Sequence, residues 1–269
     1  MKIVYCTSKD IEANTAMNLL HDIFKNHQVT VIYSNNARGC NDNLPSLQFG
    51  EQDFINNFLF PLIDENCNGR KILDRIKNNK FLTFNQITKH YNTTTKFFKN
   101  INSNSAVEFL RDLEPDLIFS IRYRQIFRDE VISIPKHGII NLHSGMARGL
   151  LATFRSMIND DHTLSPVLHY IDSPEIDAGP VIDYSHLKVN KNKSLLWHIV
   201  NLYYDAIPML IKNINKIGSG QKLELSSFPN KVKKTYYSCP NKEDVELFLK
   251  KGYKVFDGKE YMELLEKYK

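Results

Sequence analysis

The sequence predicts an α/β protein with a mostly parallel sheet flanked by helices, followed by a smaller C-terminal unit of helices and a β-hairpin. Three observations carry this. The chain opens as strand, helix, strand, which is how a parallel sheet begins. Short apolar runs then alternate with stretches whose apolar residues recur at helical spacing. After about Ser185 this alternation gives way to long helical patterning.

The elements follow in order. Lys2–Cys6 is a short apolar run and reads as the first strand. Ile11–Phe24 carries Ile11, Ala16, Leu19, Leu20 and Ile23 at helical spacing, and Gln28–Tyr33 is β-branched. The crossover between the two strands is expected to be right-handed. Residues 40–100 read as one or two helices and a loop rich in Lys, Asn and Thr. Ser105-Ala106-Val107-Glu108 has the form of a capping box, and Pro115 ends the helix it starts. Asp116–Ile121 and His137–His143 read as strands. Arg148-Gly149 is expected to open a helix reaching Asn159, and Pro166–Ile171 and Pro180–Tyr184 are two further strands.

Ser194–Ile217 is a long helical pattern, with a kink or boundary expected at Pro208. Lys231–Ser238 alternates like an edge strand. Asn241 caps a helix that ends at Gly252, and Tyr261–Tyr268 is a last amphipathic stretch. The division expected is a core over 1–185 and a smaller unit over 186–269. The density of apolar positions in that unit suggests packing on the core or on a second copy, so a homodimer is expected.

Composition narrows the function classes. A chain of 269 residues with 42% hydrophobic and 24% charged residues can bury a full core without metal or disulfide. Cys6, Cys40, Cys67 and Cys239 lack the spacing of a zinc site, and free thiols in a reducing cytoplasm are expected. No apolar run has signal-peptide or membrane-span character, so a cytoplasmic protein with no membrane partner is expected. A net charge of +5 is weak grounds for a polyanionic partner.

Two stretches could carry chemistry. In Ile139-Ile140-Asn141-Leu142-His143, alternation puts Asn141 and His143 on one face at the C-terminal end of a buried strand. In open α/β sheets, ligands bind at that end. An amide donor and a titratable nitrogen there could hold an oxyanion and move a proton. By spacing alone, a satisfied core histidine beside a turn-forming asparagine is the commoner outcome. The second stretch, His169 to Gly179, places Asp177 in a turn between two strands. There it could pair with His143 and raise its pKa, or simply shape the turn.

Other chemistries lack their motifs. Asp160-Asp161-His162 has no further ligand group, so no metal is expected. No GxGxxG follows the first strand, which argues against a nicotinamide oxidoreductase, and neither a GxxxxGK[ST] loop nor a GxSxG elbow occurs.

Taken together, Asn141 to Ile182 resembles the signature of the folate-dependent formyltransferases: Asn-x-His at a strand end, then Asp-x-Gly in a turn after a helix and a strand. Here these are Asn141, His143 and Asp177-Ala178-Gly179, and Arg148-Gly149-Leu150-Leu151 fits the same pattern. One departure is Ser144-Gly145-Met146, where many members are proline-rich. The resemblance implies a Rossmann-like core, 10-formyltetrahydrofolate as co-substrate, and Asn141, His143 and Asp177 as catalytic residues. It further implies that Ser120, Arg122, Tyr123, Arg124, Ile126, Ile171 and Asp172 line the folate site.

The wording of Ser120–Ile126, His143–Phe154 and Gly252–Tyr261 is most similar to the dTDP-sugar N-formyltransferases of O-antigen (lipopolysaccharide) synthesis. The acceptor implied is a dTDP-linked amino-dideoxy sugar, with dTDP-4-amino-4,6-dideoxyglucose favoured and no nucleic acid as partner. For its diphosphate, Lys77, Lys80, Phe81 and Lys89 are candidates from charge and position, with Arg148 and Gly149 also at the substrate. The alternatives are formylation of methionyl-tRNA and a nucleotide-sugar binding module without catalysis.

Overall fold

Lys2–Thr7 (β1) has an almost wholly buried strand pattern, so it needs a partner on each side. It finds Gln28–Tyr33 (β2) and Leu117–Ile121 (β4), both parallel, with Ile3 opposite Val29 and Leu117. The computed structural model describes residues 1–34, 51, 54, 55, 60, 80–226 and 236–268. Among these residues the main sheet has seven strands, in the order β3-β2-β1-β4-β5-β8-β9. Thr94–Phe97 (β3) and Ile139–His143 (β5) complete the parallel part. Val167–Ile171 (β8) and Val181–Tyr184 (β9) run antiparallel beyond β5. The mostly parallel α/β sheet expected from the sequence is therefore present.

Several elements differ from expectation for identifiable reasons. β3 lies in a stretch read as loop. Its residues Thr94-Thr95-Lys96-Phe97 are all exposed, so no alternation of apolar residues betrays it. The first helical stretch is two helices, Ile11–Leu19 (α1) and His21–Asn26 (α2), that meet at the buried Leu20. Phe84–His90 (α3) follows a capping box made by Thr83 and Gln86. Asn104–Leu113 (α4) begins at Ser103 rather than at a Ser105 capping box. It ends at Glu114 with φ +48, before Pro115 bars further helix. Asp129–Ile132 (α5) is one turn between β4 and β5.

Arg148-Gly149 forms not a helix start but a two-residue strand (β6). The helix begins later, Ala152–Ile158 (α6). The reason is tertiary: β6 pairs in parallel with Tyr236–Tyr237 (β11) from the far end of the chain. Thr163–Leu164 (β7) and Leu187–Lys188 (β10) make a second small pair.

Leu195–Gly218 (α7) runs unbroken through Pro208. Pro208 and Tyr204, the residue one turn back whose carbonyl loses its bond, both face outward, so water can take that carbonyl. The buried face of α7, including Ile199, Leu202, Ala206 and Leu210, belongs to the same core cluster as β1 and α1. Lys242–Lys250 (α8) starts at Asn241 as expected, in a capping box closed by Asp244. Gly258–Leu265 (α9) and a short 3-10 turn, Glu266–Tyr268, end the described chain.

Cys6 is free and buried, but Cys239 is disulfide-bonded, which corrects the expectation of free thiols. Separation along the chain hides which cysteines the fold brings together. Among the described residues no helix is long and apolar enough to cross a membrane.

Candidate active site

The C-terminal ends of β4 and β5 and the middle of the antiparallel β8 meet a turn between β8 and β9, and the site is built there. Alternation along β5 sends Asn141 and His143 to the same side, as expected. Across the antiparallel ladder Asn141 stands opposite His169, and across the parallel one opposite Ser120. Both neighbours bond to it. Ser120 Oγ donates to Asn141 Oδ1 at 2.7 Å, and Asn141 Nδ2 lies 3.1 Å from His169 Nε2. His169 Nδ1 lies 2.8 Å from the Tyr170 carbonyl, which can only accept. That contact assigns the proton to Nδ1 and leaves Nε2 to accept from Asn141.

His143 is held in the same way. Its Nε2 donates to the Ala147 carbonyl at 2.9 Å, so Nδ1 faces Asp177 Oδ1 at 3.6 Å. Asp177 sits in the left-handed region with φ +49, which aspartate tolerates better than most residues. The turn closes tightly behind it: a Cβ on Gly179 would lie 1.8 Å from the Tyr170 carbonyl oxygen, so only glycine fits. Asp177 Oδ1 is also 3.6 Å from His169 Nε2 and 3.5 Å from Asn141 Nδ2, and Oδ2 accepts from Gly149 N at 3.0 Å.

Burial opposes ionisation of Asp177. It is outweighed by the charge of His143, the polar contact with His169 and the Gly149 amide, and the pKa falls to about 2. The carboxylate is therefore ionised at any ordinary working pH.

A stability prediction follows from the sign. The folded pKa lies below the unfolded value of about 3.9, so this group adds stability above that pH and the gain is lost as pH falls through 2. Asp177→Asn is expected to cost on the order of 2 kcal/mol at pH 7. Urea unfolding at pH 7 and at pH 3 checks it, and an equal loss at both would contradict this account.

The trio opens onto a cavity of about 490 Å³. Of the folate candidates, Ser120, Arg122, Tyr123, Arg124, Ile126 and Ile171 line it and Asp172 does not; Gly149 and Ser173–Asp177 line it too. A smaller cavity of about 240 Å³ meets it at His143, His169 and Asp177, and Arg148 lines that one. Arg148 is spent on local structure, donating to Glu175 Oε1 at 2.6 Å and to the Ile176 carbonyl at 2.9 Å.

In the cavity wall, Arg122 holds φ +57 and forks onto Asp10, with Nε to Oδ1 at 2.9 Å and Nη2 to Oδ2 at 2.9 Å. Glu12 lies 3.6 Å from the same guanidinium, and Arg124 lies 3.7 Å from Asp10. Asp10 also caps α1 through the Ala13 amide. Burial disfavours its charge, but Arg122 and Arg124 pull its pKa down to about 2.

Of the lysine candidates, the described Lys80 and Lys89 do not line either cavity. Lys80 Nζ donates to the Glu266 carbonyl, and Phe81 packs its ring edge-on against Tyr268, so that segment is docked on the C-terminal turn. Lys89 is exposed at the end of α3, and Lys77 lies outside the described residues. Lysines do line a different cavity of about 500 Å³ at the ends of β1 to β3, with Lys9 and Lys96 beside Tyr33, Asn85, Thr88 and Thr95. Sequence reasoning also passed over His169. Its strand was legible, but its place opposite Asn141 depends on the antiparallel register. Among the described residues no group of three or more His, Cys, Asp or Glu is placed to hold a metal ion.

Known proteins resemble this chain in sequence and in fold. Residues 66–196 match the formyl transferase family model. The bifunctional polymyxin resistance protein ArnA of Wigglesworthia glossinidia brevipalpis is 32% identical over 130 residues, covering 44% of this chain and 20% of that protein. The methionyl-tRNA formyltransferase of Fusobacterium nucleatum is 32% identical over 126 residues, 46% of this chain and 40% of that enzyme. The chain thus spans less than half of either relative. Among solved structures, the N-formyltransferase of Helicobacter canadensis, in complex with folinic acid and dTDP-3-aminofucose, superposes with a TM-score of 0.57. That likeness covers 97% of this chain and 82% of the other at 16% identity. Phosphoribosylglycinamide formyltransferase of Anaplasma phagocytophilum gives 0.55 at 17% identity, covering 82% and 88%. Residues 66–196, which include Asn141, His143 and Asp177, are thus similar to the formyl transferase family, and the fold is similar to those of these two solved structures.

Proposed function

We propose that this chain transfers a formyl group from 10-formyltetrahydrofolate to the amine of a nucleotide-linked amino sugar. The observation that carries the reading is the convergence of Asn141, His143 and an ionised Asp177 at one end of a cavity with an apolar rim. The folate supplies an activated formyl carbon on its N10. Ile126, Ile171 and the other lining residues of 122–127 and 173–177 bound a space that a flat ring could enter, which fits that co-substrate.

Asn141 donates from Nδ2 to the carbonyl oxygen on which negative charge develops. Its long 3.5 Å contact to Asp177 is the one most readily given up for this. The amine's new bond to the formyl carbon forms as the bond from that carbon to N10 breaks. The amine loses a proton and N10 gains one. His143 Nδ1 is the nitrogen placed to carry that proton, because Nε2 is committed to Ala147. Asp177 stays charged and keeps the imidazole turned towards the reaction.

The cavity at Lys9 and Lys96 suits a diphosphate better than the lysines chosen from sequence. β2 is three strands from β5, roughly 14 Å at the usual strand spacing. A sugar nucleotide bridges such a span with its amine at Asn141. The likeness in fold to the Helicobacter enzyme supports a sugar acceptor, whereas the identity to methionyl-tRNA formyltransferases favours the tRNA reading.

The test is incubation of the protein with 10-formyltetrahydrofolate and, in separate reactions, dTDP-4-amino-4,6-dideoxyglucose, a dTDP-3-amino sugar and methionyl-tRNA. Mass spectrometry should find a folate-dependent formylated sugar nucleotide. Formylation of the tRNA alone would replace the sugar reading.

A further inference from the structure

The C-terminal strand β11 brings Tyr236 to the large cavity from far along the chain. β11 pairs in parallel with β6, Tyr236 beside Arg148 and Tyr237 beside Gly149, and the Tyr237 carbonyl accepts from Leu150 N at 2.9 Å. Successive strand residues face opposite ways. Tyr237 turns to Arg155, whose guanidinium lies 5.1 Å from its ring centre. Arg155 is itself locked by Asp244 at 2.8 Å. Tyr236 is thereby directed to the other side, where it lines the large cavity and stays 46% exposed.

The fit beneath Tyr236 is close. Gly149 holds φ +97, and a Cβ there would sit 2.2 Å from the Tyr237 carbonyl oxygen and 2.8 Å from the Tyr236 ring. The ring therefore rests directly on the glycine backbone, with its free surface towards the cavity. The same glycine donates its amide to Asp177 Oδ2 at 3.0 Å. One peptide unit thus joins the aromatic ring to the carboxylate of the catalytic trio. Ile126 and Leu150, 50% and 37% exposed, line the same cavity and add apolar surface to it.

From this geometry we propose that Tyr236 is the stacking platform for the benzoyl ring of the formyl-folate co-substrate. The inference rests on the folate reading above. The chemistry of the donor supports it: the N10 that bears the formyl group is bonded directly to that benzoyl ring. A platform adjoining Asp177 meets the aryl group when the formyl carbon is at Asn141 and His143. An exposed aromatic side chain on a rigid backbone suits a planar aryl group, because two rings can stack with little loss of freedom. Tyr236 is a positioning residue, and the tail that carries it completes the donor site.

The experiment measures binding of 5-formyltetrahydrofolate and of 6-methyltetrahydropterin, which lacks the benzoyl ring, by calorimetry. Wild type, Tyr236→Phe and Tyr236→Ala are compared, with thermal unfolding to confirm the fold. Tyr236→Ala should weaken 5-formyltetrahydrofolate about tenfold or more and leave the pterin unchanged, while Tyr236→Phe retains wild-type affinity for both. Undiminished folate binding in Tyr236→Ala, or an equal loss for both ligands, overturns the proposal. A wild-type protein that binds neither ligand would overturn the folate reading itself, and this inference with it.

Discussion

Replacing Asn141 with alanine is expected to lower kcat by about a hundredfold or more while the protein stays folded. Loss of one preorganised oxyanion donor carries that magnitude. Asn141 also partners two buried groups, Ser120 Oγ and His169 Nε2, so the variant will lose some stability as well. Thermal unfolding therefore has to accompany the kinetics. His143→Asn and Asp177→Asn are expected to be nearly inactive for different reasons: one removes the proton carrier, the other the charge that holds it. The three losses should not add, because the residues act as one unit. Wild-type turnover in any one of them would refute the role assigned to it.

Arg122→Ala is expected to be the most destabilising single change near the site. It leaves Asp10, 3% exposed, and Glu12, 1% exposed, without their fork of hydrogen bonds and ion pairing. Removing one partner of a buried pair costs about 3–5 kcal/mol, against roughly 1 kcal/mol for a surface pair. Arg124, at 3.7 Å from Asp10, recovers part of this and places the figure at the lower end. The pH dependence has a definite sign. Asp10 has its pKa held down to about 2, so its contribution is present above the unfolded value of about 3.9 and disappears as pH falls through 2. The gap between wild type and Arg122→Ala should then narrow in acid. The double variant Asp10→Asn with Arg122→Ala, followed by denaturant unfolding, decides the cause: it should lose less than the sum of the two single changes. Strict additivity would mean that the ion pair is not the source.

The site and the sheet differ in how they depend on sequence and on tertiary structure. β1, β2, β4, β5 and β8 are legible because buried strands are apolar runs, and the burial that makes them so is local in the chain. Asn141, His143 and Asp177 are legible as a compound spacing, since alternation in one strand and a glycine-closed turn are properties of short segments. β3 was not legible, because an exposed edge strand has no apolar face to mark it. His169 joins the site only through the antiparallel register that puts it opposite Asn141. The capture of Arg122 by Asp10, the docking of Lys80 and Phe81 on the C-terminal turn, and the insertion of Tyr236 beside Gly149 join residues far apart in the chain. Local pattern records which residues want burial or a turn. Which distant residues meet is decided when the sheet order and helix packing close, and that is settled by the core as a whole.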